Sequence, residues 1–150
     1  MSRGIFREEF YNVEGDTLDL RIIDTVDGKE AELPFYWWSI ILKASGQEVG
    51  KISLRLGHNY HSRFNGNIGY EIDDEYRGHH YALTACQMVA DIARGHGMDR
   101  LYLTCDYDNI ASYKTIEKLG AELIETVVPP KDYIFYYEGI APHRIYLLRL

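Results

Sequence analysis

The sequence predicts an α+β domain built on a mixed, mostly antiparallel sheet of about six to seven strands, flanked by helices and holding a central parallel strand pair. Three observations predict it. Residues 35 to 72 carry successive period-two or β-branched segments separated by turn residues. A single helical-period segment opens at Tyr81, directly after the last of them. Strand periodicity then returns, interrupted by one shorter helix.

Each element has a local cause. Phe6 to Tyr11 reads as a short helix or irregular segment, and Leu18 to Thr25 as the first strand. Phe35 to Lys43 is aromatic and β-branched, and Ser45-Gly46-Gln47 supplies turn chemistry before Glu48 to Leu56, so the two form a hairpin. Ile52, Leu54 and Leu56 alternate with Ser53 and Arg55, which gives that strand one wet face. Trp37 and Trp38 read as sheet packing. Phe64-Asn65-Gly66-Asn67 is a turn, and Ile68 to Ile72 the next strand of the meander. Ala82, Cys86, Val89 and Ala93 recur at helical spacing until Gly95-His96-Gly97 stops them. Leu101, Leu103 and Cys105 alternate as a strand. Asp106-Tyr107-Asp108-Asn109 is a loop ending in an N-cap, and the helix it opens is closed by Gly120. Glu122 to Val128 and His143 to Leu150 are the closing strands. A right-handed crossover makes the strands flanking the Tyr81 helix parallel neighbours and sets that helix's N-terminus at the carboxyl end of Ile68 to Ile72.

The chain has 150 residues, 46% of them hydrophobic, which is one domain's worth of core. Sixteen basic against 23 acidic residues give a net charge of −7, which argues against a nucleic-acid surface and suits a cationic partner such as an amine. Cys86 and Cys105 have no metal-ligand spacing and read as buried thiols in a reducing compartment. The opening Met-Ser-Arg-Gly-Ile-Phe-Arg-Glu lacks a leader's apolar run, so the expected location is cytoplasmic, with no membrane partner.

Chemistry concentrates in two blocks. The first runs from Gly69 to Ala82 as strand, turn and helix start. Backbone N–H groups at such a helix N-terminus, with the dipole's positive end, hold phosphate oxygens. No Gly-Lys-Ser/Thr loop and no Gly-x-Gly-x-x-Gly points to a nucleotide instead. The second runs Asn109-Ile110-Ala111-Ser112 and on to Glu117-Lys118-Leu119-Gly120-Ala121. Glu71 stands one residue after Tyr70 on the strand before the turn.

Together these blocks resemble the acyl-CoA site of the GNAT N-acetyltransferases, in the style of the branch that acetylates ribosomal-protein N-termini. The resemblance spans Ile40 to Leu150. The family's turn reads Arg or Gln, two residues, Gly, one residue, then Gly or Ala; Arg77 and Ala82 match it, and His80 stands at the glycine. The resemblance implies acetyl-CoA as co-substrate, held by Ile72, Asp73, Arg77, Gly78, His79, His80, Tyr81, Ala82, Asn109 and Ser112. It implies Glu71 as general base through water. Ile116 occupies the place of the family's usual tyrosine acid, so Ser112 or Tyr113 is the implied proton donor to the departing thiolate, and a backbone N–H near Ile72 the oxyanion donor. The aromatic segment Tyr133 to Glu138 falls where the family borders its acceptor pocket, which makes Tyr133 and Tyr136, with Glu71, the implied substrate contacts.

The expected activity is transfer of an acetyl group to a primary amine, of a small molecule or a peptide N-terminus, by direct attack. A non-catalytic acyl-CoA-binding or sensory domain of the same fold is the alternative, and a peptide-binding module using the Tyr-rich segment is a third. Related folds are often dimers, so a homodimer stays open.

Overall fold

The computed structural model describes residues 5–150; Met1 to Gly4, part of the opening read as lacking an apolar leader, lie outside them. Eight strands form two antiparallel sheets. The first is a meander of β1 (Asn12–Glu14), β2 (Leu18–Val26), β3 (Phe35–Leu42), β4 (Glu48–Arg55) and β5 (Ile68–Ile72). The second holds β6 (Arg100–Asp106), β7 (Glu122–Val127) and β8 (His143–Arg149), with β8 in the middle. Helix α1 (Ser62–Asn65) precedes β5, α2 (Tyr81–Gly95) joins the sheets, and α3 (Ile110–Lys118) follows β6. No helix among the described residues is long and apolar enough to cross a membrane.

The α+β class, the hairpin, the 68–72 strand and both long helices stand where the periodicity puts them, and four expectations change. The strand from Leu18 is the second: Asn12–Glu14 pairs with it across Gly15-Asp16-Thr17, a strand too short to show a period. The 64–67 turn is the end of α1, closed by Gly66 at φ +77°. Cys105 is half-buried, whereas Cys86 is buried.

The fourth change matters most. The expected central parallel pair forms no ladder. Asn67, just before β5, donates from its backbone N to Tyr102 O at 2.7 Å and accepts from Tyr102 N on its side-chain oxygen at 2.9 Å. Beyond that point β5 stays with β4 and β6 with β8, so the two strands part toward their carboxyl ends. Asn67 is fully buried, and its amide also donates to Arg55 O at 3.0 Å and Gly57 O at 2.8 Å. A buried amide with every group paired holds its neighbours in one arrangement.

The core lies between the first sheet and α2. Ala85, Cys86, Val89, Ala90, Ile92 and Ala93 are buried on one helix face, against Leu18, Leu20, Tyr36, Trp38, Ile40, Ile52 and Leu54. Small side chains on the helix leave room for the large aromatics of β3. Tyr36 and Trp38 stack at 5.1 Å, and Trp38 Nε1 donates to Phe10 O at 2.9 Å. Tyr36 Oη accepts from Arg7 N at 2.8 Å and shares a hydrogen bond of 2.7 Å with His96 Nε2. These bonds tie the Glu8–Phe10 turn across the end of α2. Trp37, on the opposite face, is 37% exposed.

Asn67→Leu removes three side-chain pairings at once and is expected to cost about 2 to 4 kcal/mol in urea unfolding. Burial lowers the pKa of both His58 and His96 below the ordinary value. The folded protein therefore binds these protons less readily than the unfolded chain. Stability is full above the unfolded histidine value and falls as pH drops through it toward the folded values. The urea midpoint should be flat above about pH 7 and decline toward about pH 5, with a shallower decline in His96→Gln.

Candidate acetyltransferase site

The parting of β5 from β6 opens a cleft of about 460 Å³, walled by Tyr70, Glu71 and Ile72 of β5, by the turn and first residues of α2, and by α3. At the turn, Asp74–Tyr76 makes a short 3₁₀ segment, and Arg77 Nε donates back to Ile72 O at 3.3 Å. The chain then reaches α2 through His80 at φ +61°, ψ +24°, a left-handed conformation that favours glycine. The backbone thus keeps the glycine shape of the turn although the residue is histidine. No side chain caps α2, and Tyr81 and Ala82, its first residues, line the cleft.

Asn109 caps α3 as its position requires: its Oδ1 accepts from Ser112 N at 3.2 Å. Ser112 Oγ lies 3.2 Å from Tyr70 Oη, which bridges β5 to α3 across the floor of the cleft. Burial raises the Tyr70 pKa, so its hydroxyl stays protonated at neutral pH. Arg77, Lys114 and Lys118 bring three cations to this cleft in a chain of net charge −7, the arrangement an anionic ligand needs.

Of the residues expected to hold the co-substrate, Ile72, Arg77, Gly78, His80, Tyr81, Ala82, Asn109 and Ser112 line the cleft. Asp73 and His79 do not: Asp73 N is spent on Val49 O at 2.9 Å, and the His79 ring stacks on Tyr81 at 5.2 Å. Glu71 is exposed at the cleft's edge. Tyr113 turns away, half-buried beneath the Arg144 guanidinium, 3.9 Å from its ring centroid. Tyr133 is 5% exposed within a second cluster with Phe64, Ile140 and Ile145, and burial pushes its pKa up to about 12. Tyr136 packs against the same cluster, and neither tyrosine reaches the cleft.

A second depression, of about 210 Å³, lies on the other face of the sheet, between Trp37, Lys51, Ser53, Gly69 and Glu71. Tyr70 and Glu71 border both. Sequence reading missed Tyr70, Lys114 and Lys118. The lysines were within its reach, since positions 114 and 118 share a helix face with Ala111 and Thr115.

Residues 13–122 match the family described as "Acetyltransferase (GNAT) domain". The chain belongs to the GNAT acetyltransferase family. No curated protein matches it in sequence. Among solved structures it resembles a ribosomal-protein-serine acetyltransferase from Vibrio cholerae, at 18% identity and a TM-score of 0.69, over 94% of this chain and 98% of that one. It also resembles an acetyl transferase from Salmonella typhimurium described as modifying the N-terminal serine of a 50S ribosomal subunit protein, at 15% identity and a TM-score of 0.66, over 91% and 96% of the two chains. A microcin C7 self-immunity acetyltransferase, solved in complex with acetyl-CoA and AMP, gives 18% identity and a TM-score of 0.60, over 77% of this chain and 61% of that protein. At these identities the likeness is one of fold, and the GNAT membership rests on the family match.

His80→Gly removes the left-handed strain in this GNAT turn and is expected to raise stability by about 1 kcal/mol in urea unfolding. His80→Val, whose branched Cβ fits that backbone worst, should lower it.

Proposed function

We propose that the protein is an acetyl-CoA-dependent N-acetyltransferase that moves an acetyl group to a primary amine, of a small molecule or a peptide N-terminus, by direct attack. The observation that carries this reading is the pair of depressions meeting at Tyr70 and Glu71. One co-substrate can enter from the α2–α3 side and an acceptor from the opposite face. The structural relatives described as acting on ribosomal proteins favour a peptide N-terminus among the acceptors.

Each residue's task follows from its place. The uncapped start of α2, with Arg77, Lys114 and Lys118, fits the phosphates of acetyl-CoA. That co-substrate supplies a thioester whose thiolate can leave. An alkylammonium at neutral pH must first lose a proton, at a cost of about 4 to 5 kcal/mol. Glu71, exposed on the acceptor face, can take that proton through water. Ser112 can protonate the leaving sulfur, with Tyr70 behind it to restore the proton through their 3.2 Å contact. A covalent enzyme intermediate finds no support in the thiols: burial pushes Cys86 up to about 12, and also raises Cys105.

His80, with a Cβ where the turn's backbone must approach a phosphate, is the observation that favours the rival, a domain that binds acyl-CoA without catalysis. One set of measurements separates the two. Calorimetry should show micromolar acetyl-CoA binding, weakened about tenfold or more by Arg77→Glu. Glu71→Gln and Ser112→Ala should keep that binding while lowering kcat with an amine acceptor by about a hundredfold or more. Turnover unchanged in both variants would remove the catalytic assignments, and absent binding in the wild type would remove the co-substrate.

A further inference from the structure

A third cavity lies on the acceptor face, beyond the end of β4. Loop residues Ala31, Glu32 and Leu33, Phe35 of β3, Arg55 of β4, Asn59, His61, Ser62 and Asn65 in and before α1, and Ile134 with Phe135 enclose it. Neither the family match nor the acetyl-CoA cleft accounts for it.

Its central feature is a guanidinium that no carboxylate touches directly, although Glu32 of the same lining acts on it at longer range. Arg55 is half-buried, and none of the ion pairs among the described residues includes it. One guanidinium nitrogen, Nη1, donates to Gly66 O at 3.2 Å, and the group lies 5.9 Å from the Phe35 ring centroid. Burial is the largest cause of a lowered Arg55 pKa, and the nearby Glu32 carboxylate offsets it only in part. A second donor stands beside it. His61 Nδ1 accepts from Ile134 N at 3.0 Å, which leaves the neutral ring's proton on Nε2. Leu33, Phe35, Ile134 and Phe135 give the lining an apolar side, and Glu32, Asn59, Ser62 and Asn65 a polar one, with Asn65 Oδ1 buried without a partner.

The sheet register connects this cavity to the acceptor side. Arg55 pairs with Phe35, Ser53 with Trp37 and Gly69, and Lys51 with Glu71. Alternation puts Arg55, Ser53, Lys51, Gly69 and Glu71 on one face. From Lys51 to Arg55 the strand rises about 13 Å, the span of roughly three to four extended residues of a second chain laid along it.

We propose that the Arg55 cavity is a carboxylate subsite, and that it selects amine acceptors bearing a carboxylate some three to four residues' length from the reacting nitrogen. The guanidinium fork matches a carboxylate's two oxygens, the apolar side of the lining takes the carbon chain behind it, and Glu32, also in the lining, disfavours a dianion such as phosphate more strongly than a single carboxylate. This rests on the acetyl-transfer reading for the identity of the acceptor, though the cavity's chemistry does not.

The test uses tetrapeptide amides with Glu or Gln at the third and fourth positions, with glutarate as the free small-molecule probe. The wild-type enzyme should acetylate the Glu peptide with kcat/KM about tenfold above the Gln peptide, the difference residing in KM. Arg55→Gln should erase that ratio, and glutarate should shift the His61 ring resonances in NMR. The wild-type comparison needs no variant, so poor folding of Arg55→Gln does not spoil it. Equal kcat/KM for the two peptides with no glutarate shift overturns the proposal. A glutarate shift with equal kcat/KM overturns the acceptor assignment and leaves a site for free carboxylates. A glutarate shift with no peptide acetylated at all supports the subsite and instead removes the acetyl-transfer reading.

Discussion

Two sheets joined at one end and open at the other need something rigid at the join, and here that is the side chain of Asn67. Its amide closes the β4–β5 connection through Arg55 O and Gly57 O while its oxygen and backbone N take both backbone groups of Tyr102. Hydrogen bonds of this kind contribute modestly when made and cost heavily when one partner is missing. Their value lies in specificity: with all four in place β6 cannot slide along β5 to complete a parallel ladder. Gly50 holds the other side of the gap, because a Cβ there would collide with the Glu71 carbonyl. The bare backbone at position 50 lets the strand carrying Tyr70 and Glu71 lie close against β4.

The gap fixes what the chemistry can be. Strand alternation sends Tyr70 inward to Ser112 and Glu71 outward beside Lys51 and Trp37. Adjacent residues of one strand thus face two separate compartments, the Tyr70 hydroxyl beside Ser112 on one side and the Glu71 carboxylate on the other. A continuous ladder would have buried both edges and left no passage between the faces. The strain at His80 lies beside the same gap: α2 starts at the cleft through a left-handed residue, and the chain keeps that geometry with a side chain that resists it.

Most of the architecture was legible because periodicity is a local property. Ile52, Leu54 and Leu56 are buried as their alternation demands, and Cys86, Val89 and Ala93 sit on the buried face of α2, while Ala82, read with them, lines the cleft instead. The N-cap at Asn109 was equally legible, since it needs only a side chain three residues before an N–H. The parting of β5 and β6 was not. A splayed strand and a paired one share the same alternation, and the difference lies in Asn67 meeting Tyr102 from 35 residues away. Tyr113 and Tyr133 were misjudged for a related reason. An aromatic residue near a site in sequence has several directions open to it, and Arg144 and the Phe64 cluster, both distant in sequence, decide them.

Arg55 was hidden for the opposite reason, since on paper it is the polar member of an alternating strand, bound for water. The chain bends over it instead: His61 reaches the 133–138 loop through Ile134 N, and Tyr60 reaches it through Asp132, 2.8 Å away. The segment rich in tyrosine therefore borders the Arg55 cavity, through Ile134 and Phe135 and not through the tyrosines themselves. A fold that needed only stability would place an apolar residue at position 55, because an unpaired guanidinium in partial burial costs more than it returns. That the loops converge on this cation, while Asn67 and Gly50 hold open the strand edge further along the same face, makes both ends of that face read as built for a ligand.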